Sequence, residues 1–125
     1  MALVVNEFVV MVTELLSPLG TVTAKRLFGG WGLYCDGVVF ALVAQDVLFL
    51  KGDDLCRAQY EAQDMAPFRP HGPDGMCLAY FEVPGDWLED EDIILPYARI
   101  AFDAGLRAAA IKKSRPLKRR QKQKV

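Results

Sequence analysis

The chain has 125 residues and a mass of 13.9 kDa, which is enough for one compact domain and too little for two. Hydrophobic residues make up 52% of it, so it can bury a core, and wholesale disorder is excluded. The formal net charge of -1 hides an uneven distribution, because all 16 acids but only seven of the 15 bases lie in residues 1–111. An acidic body with a net charge of -9 therefore carries a basic tail, residues 112–125, with eight bases and no acid.

Cysteine usage and hydropathy indicate the compartment. Cys35, Cys56 and Cys77 are odd in number and form no Cys-x-x-Cys pair, so we expect reduced thiols and no disulfide framework. The apolar N-terminus lacks a basic leading segment, and no apolar run approaches the ~20 residues that cross a bilayer. We therefore expect a cytoplasmic protein without a membrane partner.

The first half of the chain predicts one helix followed by strands. Apolar residues at helical spacing predict a helix over residues 3–17, ended by a Ser-Pro-Leu-Gly sequence. Between residues 24 and 51, short apolar runs are separated by two-residue turns at Asp36-Gly37 and Gln45-Asp46. We therefore expect a three-stranded antiparallel meander, and the glycines around Trp31 in its first strand suggest either a bulge or a close approach of another backbone.

A second helix and a second hairpin follow. Asp53 and Asp54 stand at the start of a helix expected over residues 53–64. Four of its side chains are expected to face inward: Leu55, Ala58, Tyr60 and Ala62. Residues 67–70 and 76–83 are expected to pair as strands across an Asp-Gly turn.

The last body segment, residues 86–111, predicts a helix that begins in an acidic cluster. With Asp92 as its N-cap, Pro96 lies at the edge of the first turn, where amide groups lack helical partners. The acidic residues 89–92 then complement the positive end of the helix dipole, an interpretation that we prefer to a metal or partner site.

The elements follow the order α-β-β-β-α-β-β-α. Because only hairpin connections join the strands, we expect a two-layer α+β fold, an antiparallel sheet of about five strands flanked by helices. The domain is expected to span residues 1–111, and residues 112–125 are expected to form a disordered tail.

No segment predicts a catalytic or cofactor-binding motif. The glycines of residues 29–32 are followed by a strand and a turn, whereas a phosphate loop requires a helix after its glycines. Cys35 or Cys77 could pair with His71 as nucleophile and base, but both cysteines also fit core positions of strands, the interpretation that we prefer. We therefore expect no enzyme, no cofactor and no bound metal.

Only the basic tail indicates contact with nucleic acid. Aromatic residues that could stack on bases have acidic or apolar neighbours in the sequence: Trp31, Tyr34, Tyr80, Phe81 and Trp87. The tail could neutralise phosphates with a nonspecific, salt-sensitive affinity, or it could solubilise the protein or pair with the acidic body. Its bases are Lys112, Lys113, Arg115, Lys118, Arg119, Arg120, Lys122 and Lys124.

Two separated blocks of the sequence resemble one family. The first runs from Arg26 through Phe28-Gly29-Gly30-Trp31-Gly32-Leu33-Tyr34 to Leu48-Phe49-Leu50-Lys51, and the second from Pro67-Phe68 to Leu95-Pro96-Tyr97-Ala98-Arg99. Together, over about residues 5–105, they resemble the N-terminal domain of the TfoX competence-regulator family. The resemblance implies a helix-flanked antiparallel sheet, a role in regulating genes for DNA uptake, and no known reaction.

These observations favour a non-catalytic regulatory or protein-interaction domain that contacts other proteins, such as transcription regulators, and forms a homodimer. The alternative is a nucleic-acid-binding accessory protein that acts through the basic tail. The interaction surface is expected in a segment that we call the glycine motif: Arg26, Phe28, Gly29, Gly30, Trp31, Gly32 and Tyr34. The same residues could also serve only to shape the sheet.

Overall fold

The chain folds into an antiparallel sheet with helices packed on one face. The computed structural model describes residues 6–27, 29–69 and 78–113. The described helices are α1 (Glu7–Leu15), α2 (Arg57–Glu61) and α3 (Glu91–Lys113). The described strands are β1 (Val22–Leu27), β2 (Gly30–Cys35), β3 (Val38–Ala44), β4 (Val47–Lys51), β5 (Pro67–Phe68) and β6 (Leu78–Glu82), and they lie in the sheet in the order β1-β2-β3-β4-β6-β5. The predicted α+β class with an antiparallel sheet is confirmed.

The described sheet has six strands rather than about five, because the segment predicted as the first strand is a hairpin. β1 and β2 pair along their whole length, with Leu27 opposite Gly30. Gly29, in the turn between them, has a φ of +79°, a left-handed conformation that favours glycine. The bulge lies on β3 rather than in the glycine-containing strand, because the pairing of β2 with β3 shifts and leaves Phe40 of β3 as the extra residue.

α1 begins at a capping residue that the pattern of apolar residues did not indicate. The side-chain oxygen of Asn6 accepts hydrogen bonds from the backbone N–H groups of Phe8 and Val9, at 2.9 and 3.2 Å. The helix gives way to a 3-10 turn at Ser17–Leu19, where the predicted proline stop lies. Of the predicted helix, residues 3–5 lie outside the described residues.

α2 is shorter than predicted, and its inward face is different. The Asp53 carboxylate accepts hydrogen bonds from the backbone N–H groups of Leu55 and Cys56, so residues 53–56 form a turn before the helix. Because the helix starts later, Cys56 is buried whereas Leu55 is 74% exposed. Of the four side chains expected to face inward, Tyr60 alone is buried; the exposed ones are Leu55, Ala58 and Ala62.

α3 starts at Glu91, two residues before the start that an Asp92 cap implies, and ends at Lys113, two residues after its predicted end. The Asp90 side chain accepts a hydrogen bond from the Asp92 N–H at 3.1 Å, so Asp90, not Asp92, caps the helix. Pro96 therefore lies inside the helix rather than in its first turn, at an exposed position. The helix continues to Lys113, two residues beyond the predicted domain boundary.

Two apolar clusters occupy the two faces of the sheet. The main core lies between the sheet and α1 and α3, which contact β1 and β3 respectively. A smaller cluster of Leu42, Phe49 and Tyr80 lies on the opposite face, on which no described helix packs. We call this second surface the open face. No helix among the described residues has the length and apolarity needed to span a bilayer.

Candidate interaction surface

The glycines of the β1–β2 hairpin have separate structural roles. Gly29 makes the turn, as described above, and no atom outside its chain neighbours lies within 4 Å of where its Cβ would be. Gly30 faces β3 so closely that a Cβ would lie 2.2 Å from the backbone oxygen of Val43. Part of the glycine motif therefore shapes the sheet.

The glycine motif divides between the two faces of the sheet. Arg26 and Trp31 are directly paired across β1 and β2 and lie on the helix-covered face, at the end of the sheet near the start of α1. Gly32 and Tyr34 alternate with Trp31 and lie on the open face. Phe28 is outside the described residues. The predicted interaction residues thus do not form one continuous surface.

Arg26 and Trp31 line a depression of about 470 Å³ that we call the hairpin cleft. The guanidinium carbon of Arg26 lies 5.1 Å from the centre of the Trp31 ring, within cation–π range. Among the described residues, Arg26 has no carboxylate within ion-pair distance. The cleft is lined by Asn6, Arg26, Gly29, Gly30, Trp31, Val43, Gln45 and Asp46.

A strained turn forms one rim of the hairpin cleft. Gln45 and Asp46 join β3 to β4 with φ angles of 53° and 61°, left-handed values that are uncommon without glycine. Holding a non-glycine residue in this region costs roughly 1–2 kcal/mol. The sequence predicted this turn from its position between two apolar runs, and a two-residue hairpin turn requires a positive φ at both of its residues.

A second polar cluster joins the loop before α2 to α3. The Asp53 carboxylate accepts hydrogen bonds from Nε and Nη2 of Arg107, at 2.7 and 2.9 Å. These bonds hold the pKa of Asp53 down, at about 2. The Tyr60 hydroxyl donates to the backbone oxygen of Lys51 at 2.6 Å, and burial raises the pKa of Tyr60. Because each of these groups already has a partner in the fold, the cluster is structural.

The cysteines and the histidine are not brought together as a catalytic site in the described structure. Cys35 and Cys56 are buried free thiols whose pKa values are raised by burial, which makes the reactive thiolate scarce. His71 and Cys77 lie outside the described residues, as does the predicted Asp-Gly turn between the last two strands. Within the described ranges, no group of three or more metal-ligating side chains is present.

The open face holds an arrangement that the sequence reasoning missed. The Lys25 ammonium lies 5.0 Å from the centre of the Tyr34 ring, and the Lys51 ammonium lies 4.9 Å from that of Tyr80. Along the chain these tyrosines have only acidic or apolar neighbours, whereas on the folded sheet each has a lysine beside its ring. Period-two alternation within one strand could not indicate it, because Lys25 and Tyr34 lie on paired strands β1 and β2, and Lys51 and Tyr80 on paired strands β4 and β6.

The basic tail is described only where it continues α3. Lys112 and Lys113 belong to the last turn of that helix, where cations complement the helix dipole. The other six bases lie outside the described residues: Arg115, Lys118, Arg119, Arg120, Lys122 and Lys124.

A comparison with protein families agrees with this fold. The family model of the TfoX N-terminal domain matches residues 14–105, which contain all six described strands and every residue that lines the hairpin cleft except Asn6. The chain belongs to the TfoX N-terminal domain family. Membership suggests a competence-related regulatory domain, in a family that is not known for catalysis. Among curated proteins, none matches this sequence significantly.

Proposed function

We propose that this TfoX N-terminal domain is a non-catalytic regulatory module that recognises another protein in the transcriptional control of DNA-uptake genes, and that the hairpin cleft is its recognition surface. Family membership supports the regulatory role. The observation that carries the choice of surface is the Arg26 guanidinium, which lies over Trp31 in an open cleft without a carboxylate partner in the described chain.

The chemistry of this pair favours a carboxylate on the partner. A guanidinium that stacks on an indole keeps its N–H edge available, and that edge binds a carboxylate through two parallel hydrogen bonds. Tryptophan and arginine are also the residues most often found at energetic centres of protein interfaces. Asp46 on the rim adds a negative charge, which disfavours a uniformly acidic segment and so contributes to selectivity.

Arg26→Gln and Trp31→Ala test this role. Each variant and wild type is immobilised at equal amount and incubated with nuclease-treated lysate from cells grown to competence. We expect both substitutions to reduce capture of the same protein about tenfold, the effect of losing one hot-spot side chain. Thermal unfolding is measured in parallel. The motif has a purely structural role if Trp31→Ala loses both folding and capture while Arg26→Gln captures the partner as well as wild type does.

Arg57→Gln is the matched control. Arg57 is an exposed arginine on α2 whose only described ion pair is the surface contact with Asp54 at 3.6 Å. Its replacement removes the same charge as Arg26→Gln, so any general electrostatic effect appears in both variants. We expect Arg57→Gln to capture the partner as well as wild type does.

We further propose that the module acts as a homodimer. β1 is an edge strand of the sheet, and an edge strand presents unpaired backbone groups that a second chain can cover. Sedimentation equilibrium should then give twice the chain mass of 13.9 kDa. A mass of one chain at every concentration would refute the dimer, and it would leave the proposal for the hairpin cleft unaffected.

The basic tail supports a second candidate function, nonspecific binding of duplex DNA. Eight bases without an acid would release counterions from phosphates, so affinity should fall steeply with salt. Replacing all six bases of residues 115–124 by glutamine should reduce both the affinity and its salt dependence. Equal binding by this variant and wild type would eliminate the tail as the contact.

A further inference from the structure

The open face combines cations, aromatic rings and aliphatic side chains. By the register of the ladders, Lys25 and Gly32 are paired, as are Gly32 and Leu42, and Leu42 and Phe49. Phe49 and Phe68 are in ring contact, with centroids 4.5 Å apart. The face therefore has a continuous apolar surface across the strands, which we call its floor, and Lys25 and Lys51 lie beside aromatic rings on it.

The aromatic rings on this face differ in accessibility. Tyr80 and Phe49 are 8% exposed and form the floor, whereas Tyr34 and Phe68 are half-buried and are therefore the more exposed aromatic residues of this face. The ammonium groups of Lys25 and Lys51 lie about 5 Å from the tyrosine ring centres. An anion bound to either lysine would therefore lie next to an aromatic ring.

The charge of the open face differs from that of the whole body. On strands β1 to β4 the open face carries Lys25 and Lys51 and no acid, although the body as a whole is strongly acidic. Within the described strands, Glu82 is the one acid on this face, opposite Phe49 near the far edge. Among the described residues, neither Lys25 nor Lys51 is in an ion pair. The two lysines can therefore accept anionic partners from outside the chain.

The spacing of the lysines fits a polyanion better than a single small anion. Lys25 is on β1 and Lys51 on β4, three strand intervals apart, which corresponds to about 14 Å across the sheet. One phosphate cannot contact both groups, whereas two phosphates of one strand that are separated by two or more nucleotides can. The open face also carries no described helix that could enter a duplex groove, so an unpaired strand is the better fit.

We propose that the open face binds single-stranded nucleic acid without sequence preference, with Lys25 and Lys51 contacting phosphates and the accessible rings of Tyr34 and Phe68 contacting bases. This site is distinct from the hairpin cleft and from the basic tail. It gives the domain a second partner class, recognised by the chemistry that sheet-based binders of single strands use, namely cations beside aromatic stacking surfaces.

Fluorescence anisotropy of a labelled oligothymidylate of about 15 nucleotides tests the proposal on the full chain. We expect Lys25→Gln/Lys51→Gln to weaken binding about tenfold at low salt. The log–log salt slope should become shallower by about 1.4, because each single-strand phosphate contact contributes about 0.7. Tyr34→Leu should weaken binding at least about fivefold, whereas Tyr34→Phe, which keeps the ring, should bind like wild type.

The matched control is Arg57→Gln/Arg99→Gln, which removes two exposed arginines from α2 and α3 and changes the net charge equally. Equal loss of affinity in the control and in the lysine variant would overturn the proposal, as would absence of binding by wild type. Complete loss of binding when the bases of residues 115–124 are replaced by glutamine would place the contact in the tail instead. A wild-type dimer that becomes monomeric on replacement of Lys25 and Lys51 would assign the open face to a second copy.

Discussion

Gly30→Ala should destabilise the domain far more than Gly29→Ala, although the two glycines are adjacent. A Cβ on Gly30 would lie 2.2 Å from the Val43 oxygen and 3.3 Å from the Cα of Ala44. A carbon–oxygen contact normally needs at least about 3.3 Å, so β2 and β3 would have to separate by about 1 Å. Overpacking typically lowers the free energy of unfolding by about 1–3 kcal/mol. We expect this variant at or above the upper end, because the clashing atom belongs to the backbone and cannot move aside as a flexible side chain can.

Gly29→Ala is the matched control because its cost comes from the backbone alone. The added methyl group meets open space, and the left-handed φ of +79° costs about 1–2 kcal/mol for alanine. Urea unfolding followed by tryptophan fluorescence compares the two free energies of unfolding. We expect Gly30→Ala to lose about 3 kcal/mol or more and Gly29→Ala about 1 kcal/mol. Equal losses would refute the close approach of β2 to β3.

Three further predictions concern groups that hold the fold together. Asp53→Asn should cost about 2 kcal/mol at pH 7 through loss of the Arg107 ion pair, discounted for partial exposure. The pKa of Asp53 lies below its ordinary value of 3.8, at about 2. Its carboxylate therefore stabilises the folded state fully above about pH 4, and this contribution is lost as the pH falls through about 2. The free energies of unfolding of the variant and wild type, measured in urea as a function of pH, should converge there. Tyr60→Phe should cost about 1–2 kcal/mol in the same assay because the Lys51 carbonyl loses its 2.6 Å donor, and no loss would mean that water replaces the hydroxyl. Cys35 should react with a thiol reagent at pH 8 only at the rate of unfolding, because the side chain is 1% exposed and the reagent cannot reach it; burial also raises its pKa. Rapid reaction in the native state would contradict its burial.

The sequence predicted the class of the fold because local patterns carry that information. Apolar periodicity distinguished helices from strands, and Asp36-Gly37 adopts the left-handed φ values of 52° and 77° expected of a tight hairpin turn. The sequence did not reveal the hairpin at residues 22–35, because its turn lies between Leu27 and Gly30 inside an apolar run. Gly29 there resembled a strand glycine, and only the pairing of Leu27 with Gly30 distinguishes the two cases.

The bounds of the helices were less predictable because neighbouring aspartates are alternative N-caps for the same helix. Asp53 and Asp90 each accept backbone N–H bonds near a helix start, yet Asp54 and Asp92 are equally plausible caps from sequence alone. At α2 the choice was decided by Arg107, 54 residues away, which fixes the Asp53 side chain. A long-range partner of this kind leaves no local signal.

The candidate surfaces show the same division between local and long-range information. The glycine motif was recognisable as a segment, but its separation into a cleft with Arg26 and Trp31 and an open face with Tyr34 depends on strand register. The contact of Lys51 with Tyr80 joins strands that are far apart in the chain, so the residues next to Tyr80 in the sequence did not indicate the charge beside its ring. Charges counted along the chain therefore did not predict charges on a face.

The central claim is that the hairpin cleft recognises a partner protein, and site-specific photo-crosslinking in cells tests it most directly. A benzophenone amino acid replaces Gln45, on the exposed rim of the cleft, or Gln63, exposed beyond the end of α2, as the matched control. The account predicts a nuclease-resistant crosslink to one protein from Gln45, abolished by Arg26→Gln, and none to that protein from Gln63. Identical crosslinks from both positions, or a Gln45 crosslink that persists in Arg26→Gln, would contradict it.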